Sequence, residues 1–287
     1  MRLGFIGTGV MGEPMCRNLA AKSGHPVLAY DRAAEPLARL REAGAGIAGS
    51  AAEVSAASDI VFLCLPDGVK LRALAEELLR DVRPGQTFID LGTSGVGLAR
   101  ELAARFEANE ADWADAPIAR TREAAQKGTL SIMVGARPDV FERIEPLLRH
   151  LGSDITHCGG IGTGQVVKIL NNMVLFETVN ALAEALALGR RAGVDPALLF
   201  DTLSKGSADS FALRNHGMKA MLPGAYPERA FSVEYALKDL NYALELGRDT
   251  GVALRGAEVT GAVLKDAIAR GDGAAYYPVI ARVVDGA

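Results

Sequence analysis

Lys168, Asn171 and Asn172 stand at i, i+3 and i+4 in a run of Val, Ile, Leu and Met that follows Gly162-Thr163-Gly164. Residues at those offsets share one face of an α-helix, so three polar side chains address one spot on an otherwise apolar segment. A lysine withdrawn from water is costly unless it has a partner or a task, and burial makes its ammonium easier to deprotonate. Such a group can give a proton to a carbonyl oxygen as hydride reaches the carbon, and recover it in the reverse direction. Asn171 can hydrogen-bond and orient both the lysine and the reacting oxygen. The alternative is a snorkelling lysine with two asparagines bonded to a neighbouring helix, which needs no ligand.

A second pattern supplies the hydride carrier. Gly7-Thr8-Gly9-Val10-Met11-Gly12 follows the apolar run Leu3-Gly4-Phe5-Ile6 and opens a helical segment. In that setting the first glycine turns the chain, the second lets backbone approach a pyrophosphate, and the third lets helix pack on strand, while free N–H groups face the phosphates. Asp31 follows Gly12 by nineteen residues, at the end of the next β-rich run. A carboxylate there accepts hydrogen bonds from the adenosine ribose hydroxyls, which favours NAD. Arg32 beside it can take a 2′-phosphate or stack on adenine, so NADP stays open.

These residues need a sheet and a long helix to hold them. Strands are expected over 3–6, 26–30, 59–65, 87–91, 111–117 and 130–135, with helices over 13–22 and 34–43. The alternation builds a parallel sheet with helices on both faces. From Gly164 the character changes: Val166 to Ala192 keeps helical apolar spacing far beyond an average helix. Asp195-Pro196 then reads as an N-cap followed by proline in the first turn, and the remainder is helical with turns at 222–224, near 251 and at 271–273. The expected fold is α/β, a Rossmann-type doubly wound domain over residues 1–161. A long interdomain helix leads into an all-α substrate and dimerisation domain over 162–287.

Composition narrows the classes. The chain of 287 residues exceeds one ordinary domain, and 49% hydrophobic with 23% charged residues suits a large core. A net charge of −4 with no basic block argues against nucleic acid. Apolar runs broken before roughly 18 residues argue against a membrane span. The first residues run straight into a strand, which argues against a secretion signal. Cys16, Cys64 and Cys158 are odd in number and scattered, which points to a reducing, cytoplasmic setting. His25, His150, His157 and His216 lack metal-ligand spacing, so no metal is expected.

Four motifs, in order, then carry a resemblance over essentially the whole chain. They are Gly4 to Met15, Asp115-Ala116-Pro117-Ile118, Gly162 to Asn172, and Lys238-Asp239-Leu240. The sequence resembles the β-hydroxyacid dehydrogenase family, which includes 3-hydroxyisobutyrate dehydrogenases and tartronate semialdehyde reductases. The resemblance implies that Lys168 is the catalytic lysine and Asn171 its partner. It places Lys238 by the nicotinamide and substrate, and Leu65, Pro66 and Thr93 along the nicotinamide half of the cofactor. It assigns Ile118, Ala119, Arg120, Thr121 and Asn172 to the substrate, a small acidic hydroxyacid or aldehyde, and implies a homodimer or homotetramer. Phe231 and nearby helices would close a cleft between the domains and exclude water.

One departure bears on the substrate. Most members follow Asp-Ala-Pro-Val with Ser-Gly-Gly, where this chain has Ala119-Arg120-Thr121-Arg122. Flexible backbone is lost, and Arg120 brings a planar fork suited to carboxylate, sulfonate or phosphate oxygens. The segment is similar to the Gly-Arg-Thr-Ser of sulfolactaldehyde reductases at Arg120 and Thr121, which makes a sulfonated three-carbon alcohol a candidate substrate. The alternative is that Arg120 pairs with a surface acid. Imine reductases share the architecture but generally replace the lysine, and a silent nucleotide-binding module could keep the fold. Lys168 and Asn171 weigh against both.

Overall fold

A computed structural model describes residues 1–228 and 230–286. Backbone contacts divide the chain into two compact units, Met1–Lys168 and Ile169 onward. The division falls inside the long helix, seven residues past the 161/162 boundary expected from the sequence pattern.

The first unit runs β1 (Leu3–Ile6), α1 (Gly12–Lys22), β2 (Val27–Tyr30), α2 (Ala34–Glu42), β3 (Gly46–Ile47), α3 (Ala51–Ala57), β4 (Ile60–Leu63), α4 (Gly68–Leu78) and β5 (Thr87–Asp90). It continues with α5 (Val96–Glu107), β6 (Asp112–Asp115), β7 (Ile118–Ala119), α6 (Arg122–Lys127), β8 (Leu130–Gly135), α7 (Pro138–Leu148), β9 (Gly152–Gly159) and the start of α8 (Thr163–Arg191). The sheet order is β3-β2-β1-β4-β5-β6-β8-β7, with β9 pairing β8. From β3 to β6 the pairs are parallel, whereas β8 runs antiparallel to β6 and β7.

Strand alternation sorts the core. Phe5, Phe62, Ile89 and Ala114 join one buried cluster, while Ile6, Val61, Phe88 and Trp113 join the other. Successive side chains point to opposite faces, so continuous apolar runs bury both sides of the central strands. Every residue of β1, β4 and β5 is buried.

Three strands lie outside the sequence expectation. β3 and β7 have two residues each, too short to carry a pattern. β9 has eight, but it is an edge strand whose Ser153, Asp154, Thr156 and His157 are exposed, so the apolar alternation of a buried strand is missing.

In the second unit, Phe176, Val179, Leu182, Ala183 and Leu186 of α8 pack with Phe200, Leu213, Val233, Leu240 and Leu264. These come from α9 (Pro196–Leu203), a π-helical segment (Leu213–Met221), α10 (Val233–Thr250) and α11 (Arg255–Ala269); α12 (Ile280–Asp285) follows. The Asp195 side chain accepts from the Leu198 N–H at 2.8 Å, and Pro196 occupies the first turn, as the cap pattern requires. Among the described residues this unit has no strand, only an isolated bridge between Ser232 and Tyr276. By length and hydropathy α8 could cross a membrane, although polar residues interrupt its apolar run. Phe176, Val179, Leu182, Ala183 and Leu186 of it lie in the second unit's core, while Val167, Leu170, Val174 and Leu188 are exposed.

Candidate active site

The glycine turn is built by close approach. Gly7 has φ +94°, and a Cβ there would lie 2.3 Å from the Cys64 carbonyl oxygen. At Gly12 a Cβ would lie 1.9 Å from the Gly7 carbonyl oxygen. Neither position can accept a side chain. At Gly9 a Cβ would meet no protein atom within 4 Å, so packing within the protein does not explain that glycine. Met11 caps α1 without a side-chain hydrogen bond, and Val10 is 59% exposed. The turn therefore offers open backbone at the helix start, which fits a dinucleotide pyrophosphate.

Asp31 is held beside it. β1 pairs β2 with Ile6 opposite Tyr30, and the Asp31 carboxylate accepts the N–H of Thr8 at 2.6 Å and of Ala33 at 2.8 Å. An ionised carboxylate has about four acceptor positions, so two amides leave capacity for ribose hydroxyls. Arg32 is exposed next to it. On the other side of β1, the segment after β4 brings Leu65 and Pro66, and Gly92 packs so tightly that a Cβ would lie 2.8 Å from the Leu65 carbonyl oxygen. Thr93 follows, half-buried. The residues expected along the cofactor thus gather outside the carboxyl ends of β1, β2, β4 and β5, where strand order reverses and such sheets bind ligands.

A buried polar framework, which the sequence reading missed, fixes the first turn of α8 to the sheet. Asp115, at the end of β6, accepts the Gly162 N–H at 2.6 Å and the Gln165 N–H at 2.9 Å. Gln165 donates from Nε2 to the Gly92 carbonyl at 2.9 Å and to Asp90 at 3.3 Å, while its Oε1 accepts the Ser94 N–H at 3.1 Å. Ser94 Oγ donates to Asp90 at 3.3 Å. Burial pushes the Asp115 carboxyl up to about 6, against the lowering effect of the amides it accepts. The two glycines before Lys168 follow from this contact. Gly162 has φ +88°, and a Cβ at Gly164 would lie 2.4 Å from the Met133 carbonyl oxygen. The available signal was a pair of aspartates closing two neighbouring strands and a glutamine on an apolar helix.

Lys168 lies one turn further along α8 and is 9% exposed. Asn171 donates from Nδ2 to Asn172 Oδ1 at 3.1 Å. Asn172, expected at the substrate, donates from Nδ2 to Asp239 Oδ2 at 2.8 Å, so both its polar ends bond within the protein. Asp239 is 2% exposed and pairs with Lys238 Nζ at 3.0 Å. The Lys238 ammonium also lies 4.8 Å from the ring centre of Tyr235 and 5.6 Å from that of Tyr242. Phe231, expected as a closing residue, packs on Phe176, Tyr235 and Tyr277 at centroid distances of 5.8 to 5.9 Å.

The segment expected to hold the acidic group is built differently from its sequence reading. Ile118 and Ala119 pair with Ile132 and Ser131. The Arg120 guanidinium does not present a vacant fork: Nη1 donates to the Thr129 carbonyl at 2.7 Å and Ser153 Oγ at 3.0 Å, and Nη2 lies 2.8 Å from Asp154 Oδ2. The surface-acid alternative describes this geometry. Thr121 Oγ1 caps α6, accepting the Ala124 N–H at 3.4 Å.

Two cavities lie elsewhere. One of about 320 Å³ is lined by Leu186, Arg190, Tyr226 and Arg282 among others, the other of about 380 Å³ by Glu107, Asp112 and Arg137 among others; neither holds a candidate residue.

Comparison with known proteins gives the family. Residues 2–160 match the family model described as the NAD binding domain of 6-phosphogluconate dehydrogenase. Residues 162–283 match the one described as NAD-binding of NADP-dependent 3-hydroxyisobutyrate dehydrogenase. The chain is 35% identical to the 2-(hydroxymethyl)glutarate dehydrogenase of Eubacterium barkeri over 257 residues, 88% of this chain and 85% of that protein. It is 36% identical to the 2-hydroxy-3-oxopropionate reductase of Escherichia coli over 253 residues, 85% of this chain and 84% of that protein. A solved Mycobacterium tuberculosis 3-hydroxyisobutyrate dehydrogenase with L-serine superimposes with a TM-score of 0.91 at 29% identity, covering 99% of this chain and 98% of that one. With two successive family models matched and near full-length relatives above 30% identity, the chain belongs to the 3-hydroxyisobutyrate dehydrogenase family and is an NAD(P)-dependent hydroxyacid dehydrogenase.

Proposed function

We propose that the protein interconverts a small β-hydroxyacid and its semialdehyde, with Lys168 as the general acid and base. The observation that carries this reading is a buried Lys168 on a helix whose first turn is pinned to the ends of β5 and β6 through Asp115 and Gln165. A fixed helix start holds the amine in one place, which is what proton transfer to a positioned oxygen requires.

NAD(P) supplies or accepts the hydride when bound. Gly7, Gly9, Val10, Met11 and Gly12 would hold its pyrophosphate, Asp31 and Arg32 its adenosine end, and Leu65, Pro66 and Thr93 its nicotinamide half. Lys168 gives a proton to the carbonyl oxygen of the substrate in reduction and takes it from the hydroxyl in oxidation. Asn171 orients that oxygen, Lys238 adds positive charge, and Ile118, Ala119 and Thr121 face the acidic group. Asn172 serves by holding Asp239 and, through it, Lys238.

The relatives are named for acting on 2-(hydroxymethyl)glutarate, 2-hydroxy-3-oxopropionate and 3-hydroxyisobutyrate, each a carboxylic acid with an alcohol or aldehyde carbon next to its α-carbon. A carboxylate of this kind is the substrate class we favour. A sulfonate would call on the Arg120 fork, which is bonded to Asp154, Ser153 and Thr129. The family resemblance implies self-association, and light scattering should return a dimer or tetramer. The test of the activity is a panel of these acids, sulfolactaldehyde and a cyclic imine, followed by NAD(P)H absorbance. Turnover of a carboxylic hydroxyacid or semialdehyde supports the reading, and turnover of the sulfonate or imine alone overturns it.

A further inference from the structure

Arg120 holds a backbone conformation that its residue type resists. Its φ is +86°, where a Cβ crowds the neighbouring carbonyl, and among the described residues Glu110 is the only other non-glycine with positive φ. The turn is short: Ala119 ends β7, and Thr121 caps α6. Glycine would reach this conformation freely, but would reach many others as readily.

The side chain closes the gap between cost and occupancy. Thr129 immediately precedes β8, and Ser153 and Asp154 belong to β9, so one guanidinium ties the turn to two strands of the sheet through three partners. Ser153 Oγ donates to Asp154 Oδ2 at 2.7 Å, completing a closed set. That hydrogen bond first, and then the charge of Arg120, hold the Asp154 carboxyl below its usual range. Exposed ion pairs add little to global stability. The effect of this one is local: it restricts which conformations the turn can visit.

We propose that Arg120 is a positioning residue that clamps the substrate loop, residues 118–121, onto β8 and β9 and thereby sets which acid the loop accepts. The functional half of this inference rests on the assignment of that loop to the substrate made above, whereas the clamp is a property of the protein without ligands. Arg120 acts through the backbone it holds and makes no contact with the acid.

Hydrogen–deuterium exchange of the full chain without ligands separates the two halves. Arg120→Ala, Asp154→Ala and the double variant should each accelerate exchange across residues 118–125 by about tenfold, the scale of losing one or two net hydrogen bonds to a local opening. The double variant should be no worse than Arg120→Ala, because both remove the same clamp. With a substrate identified by the panel, both single variants should raise KM by about tenfold with kcat within about twofold, the pattern of lost uniform binding. Exchange unchanged in both variants overturns the clamp. A lower KM in Asp154→Ala, with exchange unchanged, would show instead that a released fork binds the acid. Exchange needs no substrate, so failure of the whole panel would overturn the hydroxyacid reading while leaving the clamp to stand or fall on the exchange data.

Discussion

The carboxylate of Asp115, the last residue of β6, accepts the backbone N–H of Gln165 at 2.9 Å, and Gln165 in turn bonds the loop that follows β5. One buried acid thus caps the helix that carries Lys168 and sets that helix against the segment holding Thr93. Hydrogen bonding by side chains at a helix start satisfies amides that have no partner within the helix.

Removing the cap should be costly. Asp115→Ala leaves the Gly162 and Gln165 amides buried without their acceptor, and the expected loss is about 2 kcal/mol. Urea denaturation measures it. A loss below about 0.5 kcal/mol, the low end for helix caps, would mean that water replaces the carboxylate.

Two buried groups should pull stability in opposite directions with pH. The Asp115 carboxyl is raised by burial from 3.8 to about 6, so the folded state binds its proton more tightly than the unfolded chain and stability falls as pH rises from about 4 to 6. His216 is lowered by burial from 6.5 to about 4, so the folded state binds its proton less tightly and stability falls as pH drops from about 6.5 to 4. Each contribution is about 3 kcal/mol across its window. Asp115→Asn should therefore be less destabilising at pH 7 than at pH 4, and His216→Asn less destabilising at pH 4 than at pH 7. Denaturation curves at the two pH values check this, and parallel shifts in both variants would refute it.

Cofactor choice should follow Asp31. Wild type should favour NADH over NADPH in kcat/KM, since a carboxylate beside the ribose repels a 2′-phosphate. Asp31→Asn should move that ratio toward NADPH by about tenfold, equivalent to roughly 1.4 kcal/mol. A wild-type preference for NADPH contradicts the assignment.

Asp239 should be required for the second unit. It is nearly sealed from water, with Lys238 at 3.0 Å and Asn172 at 2.8 Å. Asp239→Ala removes the ion pair and the Asn172 hydrogen bond together, and the expected loss is about 3 kcal/mol. Calorimetry or denaturation reads it directly; a change within about 0.5 kcal/mol, the range of ordinary surface substitutions, would contradict the geometry.

Local signals were legible from residues alone. The glycine turn, the apolar runs of β1 and β4, and the Asp195-Pro196 helix start each depend on neighbours in the chain, and each stands where the pattern placed it. Partnerships between distant residues were not. Nothing near Arg120 announces that Ser153 and Asp154 will come alongside it, because β9 is an exposed edge strand without apolar alternation. The helix carrying Lys168, Asn171 and Asn172 was legible, but Asn171 is exposed where the other two are buried, and the choice of Asp239 as the partner of Asn172 depends on how α10 packs in the second unit. Gln165 was passed over for the same reason: its partners Asp90, Gly92 and Ser94 lie far back in the sequence.

In the proposed reaction the Lys168 amine moves the proton at the substrate oxygen. The most direct measurement is kcat of Lys168→Ala beside the dissociation constant for NAD(P)H, taken with the best acid of the panel. The kcat should fall by at least about a hundredfold, the lower range for an acid–base group, with cofactor affinity within about twofold of wild type. A variant that keeps kcat within a few-fold of wild type would contradict it.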